Sequence, residues 1–364
     1  MSESHRTLPG SAYHDEAVFA RERDRIFHGG WYFVGRSDPV VAGGRMVVDV
    51  AGESVLIVRD RDGALHAHRN VCRHRGARLC ATSGVGSKAA ITCPYHGFAY
   101  ALDGRLLGTP NVGADEIDRD AHGLWTVEIG EWQGFLFVNL SDRRVPLEDW
   151  LAVAADGPPP AAELHATADL RVGFRTEQDV AANWKIVVDN YLECLHCPQV
   201  HPELVDIVPL YRTGAVVENG DTAGGVCMVT GSDSFALGGR SSLPLLPTMD
   251  EESSSRYYGF LVYPNMFLDV TGTCVISTVL HPRSADRTTV ITEYCFARDT
   301  VEDPAFDPSE VVDFTELVTR QDASVCEMVQ LGTGSQAFDH GVLPLKDALI
   351  VDVQERYRRL MGAD

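Results

Sequence analysis

The sequence predicts an α+β chain in two parts: a small all-β domain, then a larger domain in which an antiparallel sheet is flanked by helices. Three observations carry this. From Trp31 to Leu140 short apolar runs alternate with glycine turns, as in MVVDV, SVLIVRD, AITCPY, TVEI and GFLFVNL. Residues 154–162, AADGPPPAA, form a proline- and alanine-rich connector. Beyond it, strand-like runs are mixed with helical ones. The expected boundaries are 1–30 for an N-terminal helical segment, 31–153 for the β domain and 154–364 for the second domain.

Each element follows from its residues. Residues 14–28 read as an amphipathic helix with Val18, Phe19, Ile26 and Phe27 on its apolar side. RVGFRTEQDV is a strand and residues 183–197 a helix. YYGFLVY, TCVISTVL and TTVITEYCFA are strands of one antiparallel sheet. Asp307-Pro308 supplies an N-cap and first-turn proline for a long helix ending near Leu331. A last helix covers about 348–361, and residues 231–256 read as a mobile surface loop. There are no internal repeats.

Composition narrows the class. Among 364 residues, 45% are apolar, enough for real cores. The net charge of −21 argues against nucleic acid and anionic membranes as partners. No apolar run is long enough to span a bilayer, and the N-terminus has no signal-peptide pattern. Nine cysteines, two of them assigned below to iron, suit a reducing cytoplasm better than a disulfide framework.

The chemistry is concentrated in Cys72-Arg73-His74 and Cys93-Pro94-Tyr95-His96. A [2Fe–2S] cluster in which imidazoles replace two thiolates needs two Cys for one iron and two His for the other. Each pair supplies one of each, and Gly76 and Gly97 allow tight turns beside the sulfurs. The rival reading is a Cys2His2 zinc site, which the C-x-H…C-x-x-H order does not match.

At CRHRGARL and CPYHGFAYALDGRL the chain resembles the oxygenase (alpha) component of the Rieske non-haem iron oxygenases. The spacing between the halves is a residue or so longer than usual, and Phe98 stands where the family commonly has Trp. Neither departure touches a ligand.

A second metal site is expected in NWKIVVDNYLECLHCPQVH. Asp189, Glu193 and His196 share one face if the helix is continuous. Pro198 is expected to end that helix near Cys197 and let His201 return toward His196. Two imidazoles and one carboxylate with open positions define the triad of an Fe(II) oxygenase. Asp322, mid-helix with Cys326 and Gln330 on its side, is the chosen carboxylate. The resemblance likewise implies H-x4-H from one segment and an Asp from a late helix. Alternatively His196 and His201 are structural and Asp322 is a buried hydrogen-bonded acid. Cys194 and Cys197 read as packing thiols rather than a C-x-x-C metal or redox pair.

Oxygen chemistry at one iron needs an electron reservoir, and the cluster is that reservoir. The resemblance implies a bridging carboxylate three residues before the first iron His, which is Glu193; Asp189 is the second choice. Glu in this D-N-Y-L-E-C-x-H-C setting resembles the branch acting on carnitine, glycine betaine and stachydrine. It also implies a homotrimer, with the cluster of one chain serving the iron of its neighbour. No dinucleotide fingerprint follows a strand, so NAD(P)H acts only indirectly, through a separate flavin and iron–sulfur reductase. Arg73, Arg75, Arg78 and Lys88 form a basic patch that either docks this partner or balances the cluster's charge.

The expected function is hydroxylation or N-demethylation of a small quaternary ammonium substrate with O2. Tyr191, Phe260 and Tyr263 are the candidate substrate residues, since aromatic faces hold such cations; Tyr257, Tyr258 and Phe267 are further aromatics nearby. The alternatives are an aromatic or natural-product substrate, and a Rieske electron carrier without oxygen chemistry.

Overall fold

The computed structural model describes residues 5–85, 90–113, 115–154, 166–217 and 224–362. Most of the 154–162 connector and Lys88 therefore lie outside the described residues. The chain divides into two compact units, His28–Leu147 and Met1–Phe27 with Glu148–Asp364. The fold class is α+β, as expected.

The first unit is all-β. A seven-stranded antiparallel sheet runs in the order Trp31–Arg36, Phe135–Asn139, Thr126–Trp132, Leu65–Arg69, Glu53–Arg59, Gly44–Val50 and Gly84–Val85. A second sheet joins Ala90–Thr92, Ala99–Ala101 and Leu106–Gly108. Leu56, Val58, Ile91, Phe98 and Tyr100 make one core with the two cysteines Cys72 and Cys93. The cysteines are thus anchored in packed apolar surface while the loops beyond them stay at the rim.

In the second unit a six-stranded antiparallel sheet runs in the order Arg171–Val180, Arg287–Phe296, Val275–Ser284, Met266–Val270, Arg256–Val262 and Val226–Cys227. The helices Trp184–Tyr191, Ser309–Thr333 and Ala348–Met361 flank it. Asp307 accepts from the Ser309 amide at 3.0 Å, satisfying a first-turn donor of the long helix.

Three expectations are corrected. Residues 14–28 are not one helix: Ser11–His14 and Glu16–Glu22 are followed by a π-helical turn at Arg23–Phe27. Nor is 1–30 a segment of its own. Its Glu22 is wholly buried, 2.5 Å from the Lys185 ammonium, and accepts from Trp184 Nε1 (2.8 Å) and Tyr357 OH (2.7 Å). That buried network ties the N-terminus into the helical unit. Finally, residues 231–256 are not simply a surface loop, because Phe235 is buried against Tyr257, with ring centroids 4.6 Å apart.

Candidate metal centres and substrate cavity

The two cluster loops repeat one backbone design. Gly76 N–H donates to Cys72 O (3.0 Å) and Gly97 N–H to Cys93 O (3.1 Å). Cys72 N–H donates to Ala77 O and Cys93 N–H to Phe98 O, both at 2.8 Å. Gly76 and Gly97 have φ of 73° and 74°, the left-handed region that glycine enters without strain. Cys72 and Cys93 are each 2% exposed, whereas His74 is exposed and His96 half-buried. The two imidazoles lie edge to face at 4.7 Å, and His74 stacks on Phe98 at 4.6 Å. Burial raises the Cys72 thiol above its usual range, the Cys93 thiol adding to it and the Tyr100 hydroxyl, 3.3 Å away, opposing. Two buried thiols and two rim imidazoles on matched turns are the donor set that a Rieske cluster requires. Arg73 donates to Gly123 O and covers Trp125 at 4.1 Å, while Arg75 lies 5.7 Å from the Tyr95 ring.

The second centre is assembled differently from the expectation. The Asn183 side chain caps the helix Trp184–Tyr191, accepting from Lys185 N at 3.0 Å. The helix stops at Tyr191, so Asp189, Glu193 and His196 do not share one helical face. Pro198 does not end a helix. It sits in the first turn of the short helix Cys197–Val200, where a missing N–H costs nothing. His196 and His201 cap the two ends of this short helix, whose single turn brings them together. Their Nε2 atoms are 3.2 Å apart. Cys194 and Cys197 are joined as a disulfide, with Cα atoms 4.9 Å apart, where packing thiols were expected.

Asp322 on the long helix completes the group. Its Oδ1 lies 2.9 Å from His201 Nε2 and 3.3 Å from His196 Nε2, and Asn190 Nδ2 donates to it at 2.7 Å. One donor atom from each of His196, His201 and Asp322 falls within 4.8 Å of the others. The far ring nitrogens are held: His196 Nδ1 by Glu193 Oε1 at 2.5 Å, and His201 Nδ1 by Gln321 Oε1 at 2.8 Å. A carbonyl or carboxylate on Nδ1 keeps the proton there and leaves the Nε2 lone pair for a metal. Three Lewis-basic atoms facing one another call for a cation among them. Burial opposes the charge on Asp322, but His196, His201 and Asn190 hold its acid down to about 2. Burial also opposes charge on His196, yet Asp322 and Glu193 hold it up to about 9, so near neutral pH a proton competes with a metal for its Nε2.

Asp189 is elsewhere. It accepts from Tyr13 OH (3.4 Å) and Gln354 Nε2 (3.0 Å), and burial pushes its acid up to about 7. The structure brings Glu193, not Asp189, against an imidazole of the candidate metal group.

The triad opens on a cavity of about 520 Å³. Tyr191, Tyr257, Phe260 and Phe267 line it. Tyr263 does not; it is buried against Trp184, with ring centroids 6.1 Å apart. Position along the chain explains the miss: Phe260 lies on the strand Arg256–Val262, and Tyr263 falls in the turn just past its end. Phe235 and Asp269 line the cavity and were not foreseen. Asp269 had a signal, a lone acid in the apolar run MFLDV.

Comparison with known proteins agrees with this geometry. Residues 30–126 match the Rieske [2Fe-2S] domain, and residues 167–363 match the catalytic domain of the ring hydroxylating alpha subunit. The chain belongs to the Rieske non-haem iron oxygenases. It is 30% identical to the glycine betaine monooxygenase oxygenase subunit of Chromohalobacter salexigens, over 92% of this chain and 81% of that protein. It is also 30% identical to the carnitine monooxygenase oxygenase subunit of Escherichia coli K12, over 91% and 85%. A crystal structure of a quaternary ammonium Rieske monooxygenase with an inhibitor superposes with a TM-score of 0.80 at 25% identity, covering 98% of this chain and 96% of that one. This Rieske oxygenase is therefore an oxidoreductase with a [2Fe–2S] domain and a mononuclear iron domain, which excludes the reading as a bare electron carrier. None of its described helices is long and apolar enough to cross a membrane.

Proposed function

We propose that this oxygenase component hydroxylates an N-methyl carbon of a small quaternary ammonium substrate of the betaine or carnitine type. The observation that carries the reading is the opening of the His196–His201–Asp322 group onto a cavity lined by Tyr191, Tyr257, Phe260 and Phe267. A quaternary nitrogen has no N–H to donate, so aromatic faces are its natural partners. The glycine betaine and carnitine relatives support the same substrate class.

Cys72, His74, Cys93 and His96 would hold the cluster, and His196, His201 and Asp322 the Fe(II). When bound, the iron activates O2 and the cluster supplies an electron. Glu193 holds Nδ1 of His196 and so orients the ligand. In a homotrimer it would bridge to a cluster histidine of the neighbouring chain. The overall change consumes O2, two electrons and two protons, giving water and an N-hydroxymethyl ammonium, which releases formaldehyde and leaves a protonated tertiary amine. The electrons come from NAD(P)H through a separate flavin and iron–sulfur reductase, in the cytoplasm.

The test is formaldehyde release from carnitine, γ-butyrobetaine and glycine betaine by iron-loaded protein with a reductase. Release from at least one, and not from aromatic acids, is expected. Turnover of aromatic acids alone would overturn the reading.

A further inference from the structure

We infer that Asp269 supplies the counter-charge for the substrate's quaternary nitrogen, so that the cavity selects a cation over a neutral molecule of the same shape. This deepens, and rests on, the proposed quaternary ammonium chemistry.

Four carboxylates line the cavity: Glu193, Asp269, Asp322 and Asp352. Asp322 belongs to the metal group and Glu193 to His196. Asp352 lies one helical turn from Arg356, itself a lining residue. Asp269 stands apart from all of these, on the sheet. Tyr257 OH donates to its Oδ1 at 2.6 Å and Tyr191 OH at 2.8 Å. Those phenols belong to the aromatic wall: Tyr191 stacks on Phe267 at 3.9 Å, with ring planes 6° apart, and Tyr257 packs on Phe235.

The arrangement is built into the sheet register. Gly259 is the residue paired with Asp269 across the two strands. A Cβ on Gly259 would overlap Tyr257 OH and come within 3.2 Å of Tyr191 OH. Glycine at that position leaves the space through which both phenols reach one carboxylate oxygen.

Two neutral donors offset part of the cost of burying the charge without cancelling it. Burial pushes the Asp269 acid up to about 6, with the two phenols opposing, so the group remains ionised near neutrality. A quaternary ammonium cannot hydrogen-bond to it. Its gain is Coulombic, and attraction is larger in a cavity screened from water than at an exposed site. The aromatic faces add the ring quadrupole on the same side. A carbon-centred molecule of identical shape gains neither and must still sit beside a buried charge.

Equilibrium binding to holoprotein tests this, with three cations (glycine betaine, carnitine, γ-butyrobetaine) and the acids in which carbon replaces the quaternary nitrogen. In the native protein at least one cation binds more tightly than its carbon counterpart. Asp269→Asn reduces that preference by about tenfold or more while cluster absorbance and iron content stay unchanged. A preference unchanged in Asp269→Asn overturns the inference and leaves the substrate class standing. A native protein that binds no cation better than its counterpart overturns the substrate class and the inference together. If Asp269→Asn does not fold, the triple variant Asp269→Leu, Tyr191→Phe, Tyr257→Phe decides, because it removes the charge together with both donors and leaves no unpaired polar group. Its cation preference should fall as in Asp269→Asn; a preference retained there overturns the inference.

Discussion

Glu193 Oε1 lies 2.5 Å from Nδ1 of His196, while the opposite nitrogen of that ring lies 3.3 Å from Asp322. One imidazole thus joins a carboxylate outside the metal group to one inside it. Glu193→Gln keeps a hydrogen-bond partner for the ring but removes the charge. We expect both metals to be retained and turnover to fall by about 10–100-fold, the usual effect of disturbing a ligand's outer partner. Iron analysis alongside product formation checks this, and undiminished turnover would remove Glu193 from the electron path.

His201→Ala should separate the two centres. His201 is 1% exposed and meets both Asp322 and Gln321. Its loss leaves two donors, too few for a facial triad. The red-brown cluster absorbance should persist while the iron beyond the cluster is lost. Cys93→Ser should do the reverse, bleaching the cluster.

Glu22→Ala leaves the Lys185 ammonium buried without its counter-charge. Removing one member of a buried pair costs about 3–5 kcal/mol. Urea titration should show that loss, with the N-terminal segment no longer protected from proteolysis. A change below about 1 kcal/mol would place the pair among weakly coupled surface ion pairs instead.

Asp189 gives a pH signature. Its acid is raised by burial to about 7, so between its unfolded value and that point the folded state holds the extra proton. Stability from this group is therefore present at low pH and is lost as pH rises toward 7. Asp189→Asn should flatten that part of the profile, its gain being larger at pH 8 than at pH 5. Thermal melts of both proteins across this range would show it; parallel profiles would contradict the burial argument.

Much of this was legible in the residues. The donors proposed for the cluster stood out because their spacing is short and their chemistry demanding. His196, His201 and Asp322 were found through donor types, although the continuous helix invoked to align them does not exist. That helix ends at Tyr191, with Leu192 as its cap, and Pro198 acts as a helix starter, a role its position alone does not distinguish. The strand Met266–Val270 went unread because it is five residues long and follows Tyr263-Pro264 without a clear break. Asp269 was missed with it. Phe235 was missed because an irregular segment rich in Ser and Gly gives no periodicity from which burial can be read.

Phe235 also shows how this enzyme divides its labour. The side chains proposed to bind metal come from helices and turns locked together by Asn190, Gln321 and Glu193, whereas one face of the reaction chamber is contributed by a stretch of chain outside the regular elements. Insertions or replacements in that stretch can reshape the chamber without shifting a ligand. Specificity can therefore drift along this lineage, or be engineered, while the oxygen-activating apparatus stays fixed.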